Sequence, residues 1–374
     1  MEGSIFKKGT KYAVRFDKGK TKEGRRMQGF KGGFKTKKEA REFLNKVLSE
    51  LNEGKYVEPS QIPFSEYIIE WFNGSYKNSV EDTTAETRWY TVKNHLIPYF
   101  NNTSINSITT KMLDDFYNDK LDEDLQPKTI REFHNLLRRA FTQAVKWGYL
   151  KQNPALDATP PKIKRKEVNP WTEEQTNRFL DVVKEVEEEM IYETFIFTGI
   201  RRGEMLALKW SDIDFEKAKI RISHSLARTV KKGIFLKDVK TKSSRRQISI
   251  SSYLVEKLLL YKEKQEKHKE MLGAAYNDLD MVFCAYDGNF KDSRNLLREF
   301  HRYIKKSGVP KITLHDLRHL HATLLLIYGE NPKIVAERLG HADVTTTLDI
   351  YSHVNPDLQQ QAADRFERGF FKQA

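Results

Sequence analysis

Tyr12-Ala13-Val14-Arg15-Phe16 alternates apolar and polar side chains, the period of a strand with one buried face. A lysine- and glycine-rich turn at 18–24 separates it from a second strand-like run at 25–30, and Gly32-Gly33-Phe34 leads into a third. Ala40, Phe43, Leu44, Val47, Leu48 and Leu51 then recur at helical spacing. Thr36 stands three residues before Glu39, which predicts a capping box at the start of that helix. The first 57 residues therefore read as a three-stranded sheet plus one helix.

Gly54 and the 59–63 stretch with its two prolines mark a linker, after which the period becomes helical up to about Pro160. Tyr67, Ile68, Trp71 and Phe72 form one stripe. Thr87, Trp89, Val92, Leu96 and Ile97 predict a second helix, stopped by Pro98. Met112, Leu113, Phe116 and Tyr117 predict a third. The clearest helix is 129–145, where Ile130, Phe133, Leu137, Phe141 and Ala144 share a face and Gly148 ends the run. His95 and His134 lie among apolar neighbours and read as structural. A second linker at 159–166 is proline-rich, then basic; it either follows a phosphate backbone or is a solvated charge run.

From about Val168 helices and strands mix. Thr172 and Gln175 predict a capping box before a long helix through Phe197, broken at Gly199, with a shorter helix through Leu208. Strands are predicted at 219–224, 233–236 and 247–250, and helices at 252–271, 292–307, 315–328 and 332–339. Asn331-Pro332 starts the last of these and Gly340 stops it. Leu358, Ala362 and Phe366 form a closing stripe, suited to docking on a neighbouring copy or on the chain's own core.

Composition narrows the picture. The chain has 374 residues, enough for two or three domains, and 39% hydrophobic content. No apolar run approaches the ~18 residues of a membrane span, and Met1-Glu2-Gly3-Ser4 opens no signal-peptide core. Cys284 is the only cysteine, so no internal disulfide forms and a reducing cytoplasm is the natural setting. The formal net charge is +13. Residues 1–57 carry 12 Lys and 4 Arg against 7 Asp and Glu, an excess of nine. Such a module suits nucleic acid, with a protein-binding module as the alternative.

Chemistry concentrates in the last segment. Thr198-Gly199-Ile200-Arg201-Arg202-Gly203-Glu204 places arginines at a helix break, with Glu204 able to hold a guanidinium. Val239-Lys240-Thr241-Lys242-Ser243-Ser244-Arg245-Arg246 lies between two strands and reads as a basic hairpin tip. His315 and Arg318, three apart in Leu314-His315-Asp316-Leu317-Arg318-His319, share a helix face near its start, where anions are favoured. Leu339-Gly340-His341 ends another helix, and Tyr351 follows in Asp349-Ile350-Tyr351-Ser352-His353. Each motif is ambiguous by itself.

Together they resemble the tyrosine recombinase (phage integrase) family, and in particular the integrases of Gram-positive phages and conjugative elements. Arg201, Lys240, His315, Arg318, His341 and Tyr351 fill the family's six positions in order. The resemblance implies a multidomain, mainly α fold with small β-sheets. Residues 1–57 would be an AP2-like arm-type DNA-binding domain, 62–158 a SAM-like helical core-binding domain, and 168–374 a mixed α+β catalytic domain.

It also implies site-specific integration, and excision, of a phage or mobile element without metal or other cofactor. Tyr351 would attack a phosphodiester to give a 3′-phosphotyrosine. Arg201 and Arg318 would clamp the phosphate, His315 and His341 would add donors, and Lys240 would protonate the leaving 5′ oxygen. The implied partners are double-stranded DNA at phage and host attachment sites and three further copies in a tetramer passing through a Holliday junction. A host DNA-bending protein and an excisionase complete the set, in the cytoplasm of a bacterial host and away from membranes. Three rivals remain: a metal-dependent nuclease using His315, His319 and His321, a non-catalytic DNA-binding protein with the same fold, and a type IB topoisomerase.

Overall fold

Three antiparallel strands open the chain: β1 (Gly3–Lys8), β2 (Lys11–Lys20) and β3 (Arg26–Phe34), ordered β1-β2-β3. The computed structural model describes residues 2–20, 24–53, 56, 60–164, 170–184, 186–239, 244–345, 347–348 and 358–371. They fall into two compact units, Met1–Lys164 and Arg165–Ala374. No helix among the described residues is long and apolar enough to cross a membrane.

The first unit begins with that sheet. Helix α1 (Lys37–Asn52) buries Ala40, Leu44 and Val47 against Val14 and Phe16. Thr36 Oγ1 accepts from the Glu39 amide at 3.2 Å, but Glu39 bonds the Lys35 amide rather than that of Thr36, so the cap is one-sided. The strands differ in part from the sequence pattern. Gly32–Phe34 belongs to β3, and the remaining strand is β1, whose Ile5-Phe6 pair does not alternate cleanly because β1 lies at the sheet edge.

A helical array with its own aromatic core follows. Helices α2 (Phe64–Trp71), α3 (Asp82–Thr91), α4 (Ile97–Phe100), α5 (Thr110–Asp122) and α6 (Pro127–Lys146) form it. The predicted face of α6 is buried throughout. Pro98 does not stop the second helix. A π-turn at Val92–Leu96 widens the backbone ahead of it, and Pro98 sits in the first turn of α4, where a missing N–H costs nothing. His134 is buried with its Nδ1 3.1 Å from the Tyr117 hydroxyl, and the His95 ring lies against Phe133, as structural residues do.

The second unit is built on α8 (Glu189–Thr198), buried on nearly every side. The Thr172–Gln175 capping box forms at the start of α7 (Glu173–Val183), yet the single long helix does not. α7 is amphipathic and rests on the core, whereas α8 runs through it, and one straight rod cannot do both. α9 (Arg202–Met205) is only one turn.

Strands β4 (Ile213–Asp214), β5 (Lys219–Ile222) and β8 (Arg246–Ser249) make one sheet, and β6 (His224–Thr229) with β7 (Gly233–Asp238) another. β5–β6 and β7–β8 are the two arms of one interrupted hairpin. Ile222 faces Arg246 and His224 faces Asp238. The turn between β6 and β7 is at 230–232, and residues 240–243 of the basic stretch predicted as a hairpin tip lie outside the described residues.

Helices α10 (Ser252–Leu272), α11 (Ser293–Ser307), α12 (Leu314–Ile327) and α13 (Pro332–Leu339) match their predicted spans closely. A last helix, Leu358–Phe371, carries Phe366 at 73% exposure, so this side chain is not docked on the chain's own core.

Candidate active site

Gly199 ends α8 in the left-handed region, at φ +62°. A Cβ built there would lie 2.6 Å from His321 Cδ2 and 2.7 Å from Leu339 Cδ2, so both backbone conformation and space demand glycine. The chain then turns through Ile200 and presents Arg201 as the N-cap of α9. Glu204 holds it: its carboxylate accepts from the Arg201 amide at 3.0 Å and from Nη1 at 2.8 Å.

The α12 start is fixed by a capping box between Thr313 and Asp316. Arg318, in the second turn, is 2% exposed. Its Nη1 donates to the Gly199 carbonyl at 2.9 Å and its Nη2 to the Leu339 carbonyl at 2.7 Å. Arg201 Nη2 donates to the adjacent Gly340 carbonyl at 2.9 Å. Two arginines distant in sequence thus meet at the C-terminal end of α13, where the helix dipole favours cations. Each guanidinium has five N–H donors, and among the described residues protein atoms take two of them in each case.

His341 follows Gly340 directly. Its Nδ1 pairs with the Thr347 hydroxyl at 2.8 Å. Burial, then the charges of Arg318 and Arg201, push its pKa down to about 4, so the ring is neutral at pH 7. His315 stands exposed on the first turn of α12, its ring 4.9 Å from and perpendicular to that of His319. Desolvation, His319 and Arg318 lower its pKa. Arg318 itself is pushed down to about 9 by burial and by Arg201 and Arg246. Among the described residues the site is an assembly of cations with too few anions, a field that a bound phosphate would relieve.

Glu204 is the main counter-charge. Burial raises its pKa, but the hydrogen bonds and charges of Arg246 and Arg201 outweigh this and leave it below the usual carboxylate range.

The structure thus brings Arg201, His315, Arg318 and His341 into one electrostatic cluster. Lys240 and Tyr351 lie outside the described residues. His321 is committed on both nitrogens: Nδ1 bonds the Ile196 carbonyl at 2.8 Å and Nε2 accepts from Arg338 Nε at 3.0 Å. It cannot join His315 and His319 as a metal ligand, so the nuclease rival loses its third histidine.

Sequence reasoning missed Arg246 as a buried partner of Glu204, Arg338 as the holder of His321, and Thr347 as the partner of His341. A signal for the first exists. Arg246, Ile248 and Ile250 alternate along β8 and its end, and Ile248 and Ile250 are buried, so the period of two already sets Arg246 on the inner face.

Three families of sequence match successive parts of the chain: an arm DNA-binding domain over residues 4–51, the phage integrase N-terminal SAM-like domain over 63–121, and the phage integrase family over 170–357. The ICEBs1 integrase of Bacillus subtilis (strain 168) is 30% identical over 341 residues, spanning 89% of this chain and 90% of that protein. Among solved structures, the Tn1549 transposon integrase in complex with a circular intermediate DNA aligns with a TM-score of 0.71 at 20% identity, covering 83% of this chain and 100% of that one. A lambda integrase dimer bound to a COC′ core site aligns at 0.57 and 20% identity, over 78% of this chain and 95% of that one. These two likenesses speak to fold. The architecture is an amino-terminal three-stranded sheet, a SAM-like helical part and a mixed catalytic part.

Proposed function

The chain belongs to the phage integrase family, the tyrosine recombinases, enzymes that break and rejoin DNA, and from this premise we propose that it integrates and excises a mobile element by site-specific strand exchange. One observation carries the reading. Arg201 and Arg318 converge on neighbouring carbonyls at the end of α13, immediately before His341.

A phosphodiester resists attack because its oxygens are negative, and more charge builds on them in the transition state. Planar, permanently charged guanidiniums answer that need with parallel hydrogen bonds. Arg201, open to solvent over a third of its side chain, makes the broad contact. Arg318, nearly sealed, offers an edge. His315 and His341 add donors to the same oxygens.

Tyr351 is the nucleophile. Its oxygen forms the new P–O bond as the bond to the 5′ oxygen breaks, leaving a 3′-phosphotyrosine. A phenol titrates near ~10, so the phenolic proton must be drawn off, a task for His315 within this cationic field. Lys240 delivers a proton to the departing 5′ oxygen. The phosphotyrosine keeps the energy of the cut linkage, and a 5′-hydroxyl from a second duplex reverses the step without ATP.

We further assign arm-type DNA binding to residues 1–57, core-site binding to 62–158 and catalysis to 168–374. Four copies act on phage and host attachment sites through a Holliday junction inside the bacterial host, with a DNA-bending protein and an excisionase as accessories. The family chemistry and the basic amino-terminal module support site-specific recombination over simple relaxation of supercoils.

The test uses a nicked attachment-site duplex, which traps the covalent adduct, with EDTA present throughout. Wild-type protein should yield a denaturant-resistant adduct on Tyr351, while Tyr351→Phe should bind DNA and yield none. Equal adduct in both, or loss of activity in EDTA, would overturn the assignment.

A further inference from the structure

Arg246 is far less exposed than Arg201, whose side chain is 38% open to solvent. Its side chain is 6% exposed and faces Glu204, at 3%. Nη2 donates to Glu204 Oε2 at 2.8 Å, Nη1 to Glu204 Oε1 and to the Ser244 carbonyl, both at 3.2 Å, and Nε to the Arg338 carbonyl at 2.8 Å. Four of its five N–H donors are spent on protein, which leaves at most one for a phosphate.

What it touches is informative. Arg338, Leu339 and Gly340 are consecutive, and their carbonyls accept from Arg246, Arg318 and Arg201 in that order. Glu204 Oε1 is shared by Arg246 Nη1 and Arg201 Nη1. Arg246 is therefore linked to the clamp twice, through a common carboxylate and through a common helix end.

We propose that Arg246 is a positioning residue of the clamp: by gripping Glu204 and the end of α13 it fixes the Arg201 guanidinium beside that of Arg318. The inference rests on the reading of Arg201 and Arg318 as the phosphate clamp. The physical reason is competition for one carboxylate. With Arg246 in place, Glu204 offers Arg201 one oxygen for its guanidinium, and Arg201 keeps its second bond to the Gly340 carbonyl. Without it, a buried carboxylate has lost its main partner and draws Arg201 into a two-pronged pair. The guanidinium then turns away from Gly340 and from the phosphate. Binding of DNA, spread over many contacts, is little changed, whereas charge neutralisation at the cut phosphate suffers.

The experiment compares two nicked duplexes in full-length protein, one with the natural phosphodiester at the cleaved step and one with a methylphosphonate there. The methylphosphonate is uncharged and has little need of a clamp. Arg246→Lys and Arg246→Met should cleave the phosphodiester about 10–100-fold more slowly, the size of effect known for outer partners that orient metal ligands. Their affinity for DNA should match wild type. On the methylphosphonate the deficit should shrink to a few-fold, and Arg201→Ala should show the same dependence on linkage. The double variant Arg201→Ala/Arg246→Met should be no slower than Arg201→Ala alone.

Equal deficits on both linkages, or multiplying deficits in the double variant, would overturn the positioning role and leave Arg246 as a general support of the fold. If Arg201→Ala itself ignores the linkage, the clamp reading falls, and the proposal with it. Should Arg246→Met fail to fold, Arg246→Lys, which keeps the charge but not the fork, carries the comparison and the double variant alike.

Discussion

At position 199 the backbone sits at φ +62° and any Cβ would press into His321 and Leu339. The Gly199 carbonyl also receives Arg318. Stability and chemistry therefore meet in one residue without a side chain. Gly199→Ala should cost ~1–3 kcal/mol, the usual range for a strained backbone, with a further penalty from the steric clash. Urea unfolding checks this, and a wild-type midpoint would contradict it. Cleavage should fall by more than the lower stability explains, because the carbonyl that orients Arg318 moves with the turn. His341 illustrates a second residue-level rule. Its neutral ring donates or accepts according to which nitrogen bears the proton, and Thr347 engages Nδ1.

Among elements, α13 is decisive and short. Asn331 caps its start, with Oδ1 accepting from the Lys333 amide at 2.8 Å, and Gly340 closes it at φ +70°. Its last carbonyls are held by Arg246, Arg318 and Arg201. Arg338, from the same turn, reaches the Phe197 and Ser249 carbonyls and His321, so α8, the end of β8 and α12 are tied to one helix end. The two ends should respond differently. Asn331→Ala should lower stability by ~1 kcal/mol, the common cost of losing a cap. Cleavage at 25 °C should stay within about twofold of wild type, because the arginine-bound end is fixed independently; ΔG and rate measured on one preparation test the contrast. A large loss of rate would mean that the carbonyl frame depends on the whole helix.

For the whole molecule, charge and protons set the conditions of use. The net charge of +13 and its concentration in residues 1–57 favour phosphate contacts whose strength depends on salt. Lys8 lies over the Phe30 ring and Arg15 over the Phe6 ring on the amino-terminal sheet. Replacing both with Gln should flatten the slope of log affinity against log salt by up to ~2 on an arm-site duplex, a step of ~0.9 for each phosphate no longer neutralised. An unchanged slope would remove that face from the DNA interface.

Protons act on the folded state. Burial, first among the causes, takes the pKa of His321 and of His341 down to about 4, against an ordinary 6.5 in the unfolded chain. Between these values the unfolded chain binds protons that the folded chain refuses. Stability should be full above about pH 6.5 and decline as pH falls toward 4, and Glu204, also lowered, adds loss of the same sign below 4.5. Melting temperatures across that range should show the decline, and His321→Gln should make it shallower. A flat profile in wild type would contradict the burial argument.

Periodicity made most of the elements legible: α1, α6, α10, α11, α12 and α13 follow from spacing and caps, which are local properties of neighbouring residues. The order of the motifs made the family legible, and with it six candidate residues. Other features were not local. The split between α7 and α8 follows from one helix being surrounded by the rest, and β1 depends on its partner strand. The pairing of Ile222 with Arg246, which joins β5 to β8, is likewise long-range. Above all, Arg246 looked like one more cation in a basic run. The period of two along β8 turns it inward, but its partners, Glu204 and the end of α13, are set by contacts between segments far apart in the chain, and local spacing does not name a partner at that distance.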